Sequence, residues 1–325
     1  MDYVPYLSAS QIGMFLRCAR QWAYRYVERL IVPPSGAMKQ GGVFHSTAER
    51  NYLQKIDSRV DLKVDELTDF FGETFEEQFQ REDVKLDPGQ TKGALKDQGV
   101  DIVKVFHRNI APYVQPVEVE KRFELNLVEK EGEAPFRLVG VIDVVDERNH
   151  IRDNKAMTPQ RVPNEFELSR DLQLSTYSLA RRLMTKEVEP EIDMDIVVKY
   201  ARPEARMLRT ARSREGLRMH LNTIGNIAKA IRADAFPRNP TGWWCSPKWC
   251  GYWDRCMGKG LVTIDLSENL EPLLQESVDR AEKGQKEVAQ EDRQEAGQAA
   301  AQGRKEGGEK DQQDGLAGDD FDGHQ

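Results

Sequence analysis

The stretch from Gly140 to Lys155 constrains this chain more than any other, because it sets carboxylates into segments that otherwise read as buried β-strand. Val139 to Val145 is apolar apart from Asp143, Asp146-Glu147-Arg148-Asn149 has the composition of a turn, and Ile151 to Ala156 resumes an extended pattern. An unpaired carboxylate is costly in such a strand, so Asp143 needs a partner. With the turn centred near Arg148, Asp143 falls opposite Asp153, with Cβ atoms roughly 5 Å apart. Residues i and i+2 share a strand face, so Asp153 and Lys155 point the same way. Two acids and a lysine on one hairpin suit metal-dependent phosphoryl chemistry.

The surrounding pattern places this hairpin in a mixed α/β layer. Ser8-Ala-Ser-Gln11 has the form of a capping box, and Ile12, Phe15, Leu16, Ala19, Trp22 and Tyr26 recur at helical spacing, which predicts one helix over residues 9–29. Pro33-Pro34-Ser35-Gly36 breaks the chain, and a second helix is expected from the Gly41-Gly42 pair to about Ile56. Residues 59–80 and 91–111 read as charged amphipathic helices. Then come a strand over Val117–Val128, the hairpin, a helix over 166–184, a strand over Asp193–Tyr200, a short strand near Met207–Ala211 and a helix over Ser213–Ala233. A helix, three strands, a helix and a strand make a compact α/β layer. The expected division is 1–56 for the N-terminal helices, 57–115 for a helical region, 116–235 for the core, 236–265 for a cysteine-rich segment and 266–325 for an acidic, largely disordered tail.

Charge divides along the same lines. From Ser267 onward sixteen acids stand against seven bases, about −9, so the preceding body is near +1 although the whole chain carries −8. The body is therefore compatible with phosphate contacts. No stretch is apolar enough to cross a membrane, and the first residues carry neither a basic nor an apolar leader pattern, which places the expected location in the cytoplasm.

Magnesium or manganese is satisfied by a few carboxylate oxygens together with water and substrate phosphate. Asp143 and Asp153 are the expected ligands, with the backbone carbonyl of Asn154 beside them, and Lys155 is placed to offset charge developing on the phosphate. His45, expected at a helix start, would add an imidazole and bias the site towards manganese. Glu120, on the preceding strand, would hold a second ion or a water. Gln173 and Tyr177, four residues apart, share a helix face and could bond a phosphate, although their spacing also suits packing beside Leu172, Leu179 and Leu183.

Cys245, Cys250 and Cys256 form a C-x4-C-x5-C pattern, while Cys18 lies near the other end of the chain. Four thiolates in a cytosolic protein suit a [4Fe-4S] cluster or a tetrahedral zinc ion rather than disulfides. Trp243, Trp244, Trp249 and Trp253, four of the five tryptophans, stand among these cysteines. Shielding of the bound group explains them, and stacking on unpaired bases beside Lys248, Arg255 and Lys259 is the alternative.

These residues resemble the PD-(D/E)xK nucleases, in particular the RecB-like branch with the CRISPR-associated RecB-family iron–sulfur exonucleases and the AddB nuclease domain. The likeness runs over most of residues 7–260 through His45, Gly140-Val-Ile-Asp143, Asp153-Asn-Lys155, Gln173-x3-Tyr177 and the four cysteines. It implies a restriction-endonuclease-like core with a helical insertion and an iron–sulfur clasp joining the two ends of the chain. It also implies that His45, Asp143 and Asp153 hold the metal, that Lys155 is catalytic, and that Gln173 and Tyr177 assist at the phosphate. Ile142 stands where the family's proline would be, Asp153 replaces the commoner glutamate, and the first two C-terminal cysteines have four residues between them where two is usual. The implied activity is exonucleolytic cleavage of DNA, on single-stranded ends, in recombination, repair or end processing, with a recombination, helicase or CRISPR adaptation partner. The rival expectations are a non-catalytic DNA-binding adaptor on the same scaffold and a CRISPR adaptation subunit that trims spacer precursors.

Overall fold

The computed structural model describes residues 6–81, 83–128 and 135–258, within a unit that ends at Gly258; segment 266–325, expected to be disordered, lies outside the described residues. After the short strand β1 (Tyr6–Leu7), the Ser8 hydroxyl accepts from Gln11 N at 3.4 Å and starts α1 (Ala9–Arg17). The reciprocal half of the capping box is not made. Gln11 Oε1 instead accepts from the Trp22 indole at 3.1 Å. The single helix expected over 9–29 is also two helices, because Cys18 is extended (φ −164°, ψ 106°) and α2 (Ala19–Tyr26) begins beyond it. Apolar periodicity runs through the break since Ile12 and Trp22 enter the same core.

The long helix α3 (Gly36–Ser58) starts earlier than its glycine pair suggested. Ser35 caps it by accepting from Met38 N at 3.2 Å, so Pro33-Pro34-Ser35-Gly36 is a start signal and His45 lies inside the helix, not at its beginning. The amphipathic helices α4 (Val64–Arg81) and α5 (Lys92–Asn109) pack with α3 around Phe44, Tyr52, Phe71, Phe75 and Phe106.

Strands β2 (Pro116–Leu127), β3 (Phe136–Asp146) and β4 (Ile151–Met157) follow, then a single turn α6 (Glu165–Leu168) and α7 (Leu172–Thr185). Asp171 separates these two helices, because its carboxylate caps α7 by accepting from Leu174 N at 2.8 Å. The described chain closes with β5 (Ile192–Val198), β6 (Glu204–Thr210), α8 (Arg214–Arg232) and the cysteine-bearing segment.

Strand β3 is the hub of the six-stranded sheet, whose order is β1-β3-β4-β5-β6 with β2 also on β3. Strand β2 pairs antiparallel along one edge of β3. The other edge is shared: β1 pairs parallel at Arg137 and Leu138, and β4 antiparallel at Val144 and Val145. Residues 139–143 lie between those two pairings, and the edge opens there. One face of the sheet is covered by α1, α2, α7 and α8, the other by α3, α4 and α5, and each face carries its own apolar core.

The second face also carries a buried ionic cluster. Arg152, 5% exposed, places Nε 2.9 Å from Asp146, and its terminal nitrogens lie 2.7 Å from Asp193 and 2.7 Å from Asp195. Three acids against one guanidinium leave an excess of negative charge, which Arg209 reduces through Asp193 at 2.7 Å. Buried pairs of this kind add little net stability, but removing one partner strands the other. Arg152→Met should therefore lower the unfolding free energy by about 3–5 kcal/mol in urea denaturation. A loss within experimental error would show that the cluster is dispensable for folding.

Candidate active site

The hairpin turn is built by Asp146, whose Oδ1 accepts from Arg148 N and His150 N, each at 3.0 Å, while Asn149 takes the left-handed conformation (φ 62°) that asparagine tolerates. The turn is thus centred on Arg148, as expected. Its register continues from Val145–Ile151 and Val144–Arg152 towards Asp143 and Asp153, but the ladder ends before reaching them. The two acids stand where the strands part.

The side-chain alternation of β3 slips by one residue at Asp143. Ile142 and Val145 belong to one core and Val144 to the other, a spacing of three that a regular strand cannot give. Across from it, Glu120 has φ 50°, an unusual conformation for a non-glycine residue, between the ladder pairs Val119–Val144 and Lys121–Ile142. Gly140 contributes by absence, since a Cβ there would stand 2.5 Å from the Phe123 ring, which lies across the strand and meets Tyr177 edge-on at 6.5 Å.

Three of the four predicted ligands converge. His45, Asp143 and Asp153 each offer one atom within 4.8 Å of the others, the one such group of three or more among the described residues. His45 Nδ1 is 3.5 Å from Asp143 Oδ2. Asp143 accepts from Asn154 N at 3.3 Å and from Tyr177 Oη at 3.1 Å, and Tyr177 Oη in turn accepts from Gln173 Nε2 at 2.6 Å. Gln173 and Tyr177 therefore reach one catalytic-site carboxylate through one chain of hydrogen bonds. Asp153 is fully buried; its Oδ1 accepts from Lys155 Nζ at 2.8 Å, and its Oδ2 has no partner.

Electrostatics follow from this burial. Desolvation raises both aspartates above the usual carboxylate range, against the pull of Lys155. Burial alone would lower Lys155, but Asp153 and Asp143 outweigh it and hold the ammonium above its ordinary value. Desolvation and then Lys155 lower His45, which favours the neutral imidazole that ligates metals. Glu120 rises to about 7 through burial, then Asp143 and Glu49. A buried acid pair with an orphaned oxygen and a neutral imidazole is a donor set that fits a divalent cation.

A cleft of about 450 Å³ opens at the parted edge and is lined by His45, Glu120, Asp143, Gln173 and Tyr177. It also meets Ser8, Ser10 and Asp171, which the sequence reading did not assign to the site. Their signal is their place at the starts of α1 and α7, where backbone N–H groups favour anions. The four cysteines line a separate hollow with Tyr24, Tyr252 and Trp253.

The family described as the PD-(D/E)XK nuclease superfamily matches residues 6–257. The chain belongs to this superfamily. PD-(D/E)XK enzymes hydrolyse phosphodiester bonds with divalent metals, and this chain has a carboxylate and imidazole group in His45, Asp143 and Asp153. Among solved structures, a candidate exonuclease from Eubacterium rectale is 15% identical, with a TM-score of 0.48 over 74% of this chain and 86% of that one. The protein SSO0001 is 10% identical, with a TM-score of 0.38 over 80% and 89%. No curated protein matches the chain. Among the described residues, no helix is long and apolar enough to cross a membrane.

A cation that bound this site would stabilise the folded state by mass action. Manganese at a hundred times its dissociation constant should add about 2.7 kcal/mol to the parent and nothing measurable to Asp143→Asn/Asp153→Asn, read as a shift in thermal midpoint. A parent protein indifferent to manganese would take the metal out of this site.

Proposed function

We propose that this PD-(D/E)XK protein is a metal-dependent exodeoxyribonuclease of the RecB-like branch that acts on single-stranded DNA ends in recombination, repair or end processing. The observation that carries the reading is the convergence of His45, Asp143 and Asp153 at the parted strands with Lys155 bonded to Asp153. When bound there by these three and the Asn154 carbonyl, manganese or magnesium would polarise the phosphate and lower the pKa of a water. Lys155 supplies fixed positive charge beside the phosphate, where negative charge grows during cleavage. Tyr177, held by Gln173, fixes the orientation of Asp143 through its hydroxyl. Glu120, aimed into the cleft from its left-handed position, is suited to a second ion or an ordered water. The complete acid pair and lysine favour an enzyme over a DNA-binding scaffold.

Cys18, Cys245, Cys250 and Cys256 belong to the same proposal as ligands of a [4Fe-4S] cluster. They line one hollow, and Cys250 is raised by burial and by the nearness of the other three thiols. A tetrahedral zinc with Zn–S near 2.3 Å holds sulfurs about 3.8 Å apart. Among the described residues no three cysteine sulfurs come within 4.8 Å of one another, so the thiols would have to draw together for zinc. The segment that carries three of these ligands is tied to the N-terminal helices: Asn239 Nδ2 donates to Arg17 O at 3.0 Å, Tyr252 Oη to Leu30 O at 3.0 Å, and Arg255 pairs with Glu28 at 2.8 Å. The division 1–56, 57–115, 116–235, 236–265 and 266–325 remains part of this reading.

Manganese-dependent digestion of end-labelled single- and double-stranded DNA tests the activity directly. The parent should shorten single strands from an end, and Asp143→Ala and Lys155→Ala should each lose at least about 100-fold in rate, on the scale of removing one charge-stabilising group. Full activity in either variant would sink the mechanism. Protein purified without oxygen should be brown and contain close to four iron atoms per chain, about what one such cluster holds. A colourless preparation with one zinc would replace the cluster by a zinc site.

A further inference from the structure

The tryptophans beside the cysteines divide into two groups. Trp253 lines the cysteine hollow, and Trp244 lies over the backbone of Gly242, where a Cβ would stand 2.2 Å from its ring. Trp243 and Trp249 do neither. They are 66% and 50% exposed, and their rings meet edge to face at 5.5 Å. Shielding of the hollow therefore does not account for them.

Their setting is ordered and positively charged. Backbone bonds from Cys245 N to Gly242 O at 2.9 Å, Trp249 N to Ser246 O at 3.1 Å and Cys250 N to Ser246 O at 2.9 Å fix the turns that carry them. Lys248 Nζ lies 4.8 Å from the centre of the Trp249 ring. Between Phe236 and Met257, Arg238, Lys248 and Arg255 stand against the single acid Asp254. A pair of exposed indoles with Lys248 against one of them matches the chemistry of a nucleic-acid strand with unpaired bases: a π-face for a base and a cation for a phosphate.

Trp249 adjoins Cys250 of the cysteine hollow, and α1 links that hollow to the cleft. Helix α1 begins at Ser8 and Ser10 in the cleft wall and ends at Cys18 in the wall of the cysteine hollow. Its nine residues span about 14 Å, the length of roughly four stacked nucleotides at 3.4 Å each.

We propose that Trp243 and Trp249 are a stacking platform for unpaired bases of the strand whose end occupies the cleft, a few nucleotides from the cleavage point. This rests on the single-stranded DNA reading above and names the surface that selects it. It accounts for strand preference by a means independent of the metal ligands, because paired bases hide the faces that the indoles would contact.

The test measures binding, without cleavage, on the full chain in chelator. Intrinsic fluorescence is followed with oligothymidylate of about twelve nucleotides, with a tetranucleotide, and with a blunt duplex. The longer oligomer should quench the parent and bind about 5- to 30-fold more tightly than to Trp243→Ala/Trp249→Ala. Affinity for the duplex and the tetranucleotide should change less than about twofold, the scale of surface changes away from the contact. Trp243→Phe/Trp249→Phe, with an unchanged thermal midpoint, should recover most of the loss, which separates stacking from misfolding. Equal affinity of the alanine pair and the parent for the longer oligomer, an equal loss on duplex, or no recovery by phenylalanine would each overturn the platform, and the first would point to a protein-docking surface. The digestion assay decides the nuclease reading separately, since the platform can fail while cleavage persists and cleavage can fail while the binding difference persists.

Discussion

Everything at the site depends on the parting of β3 and β4. Ladder hydrogen bonds would normally satisfy the backbone there, and apolar contacts would fill both faces. Instead the pairing stops at Val144–Arg152, and the next residues on the two strands are Asp143 and Asp153. Two buried carboxylates in that gap repel each other and lose hydration, and their neighbours Lys155, Tyr177 and Asn154 N only partly compensate. The site is thereby poised for a cation. What stabilises the gap is the sheet behind it: β2 along the full opposite edge, β5 beyond β4, and a separate apolar core on each face.

Strand β4 places contrary demands on neighbouring residues. Arg152 and Asp153 are adjacent, so they face opposite sides of the sheet. On one side Arg152 is surrounded by Asp146, Asp193 and Asp195 and locks β3, β4 and β5 together. On the other, Asp153 is left with an oxygen that nothing satisfies. The same strand thus anchors itself with one buried charge on one side and sets a buried acid beside Asp143 on the other.

The hairpin was legible in the sequence because its information is local. A turn composition, a period of two and a pair of acids in an apolar run determine register and face without knowledge of the rest of the chain. The spacing of four put Gln173 and Tyr177 on one helix face but suited core packing of Tyr177 better, and only the family resemblance pointed them at the site. What escaped depends on distant partners. The break at Cys18 leaves the apolar period intact and is visible only once the cysteine-bearing segment packs against α1 and α2. The left-handed Glu120 and the slip at Asp143 arise between two strands. Ser35, read as part of a chain break, caps α3 and moves His45 into the helix interior. The Arg152 cluster went unnoticed because its acids lie on other strands and none of them follows a motif.

Helix α1 acts as a gear with a fixed tooth count. Its first turn is committed to the cleft and its last to the cysteine hollow, so its two ends are phased against different targets. Inserting a single residue would turn one end by about 100° relative to the other and lengthen the helix by about 1.5 Å. Cys18 would then leave its hollow, or Ser8 and Ser10 would leave the cleft. A change in its length would be felt at both ends, whereas a side-chain exchange at one end would be felt only there.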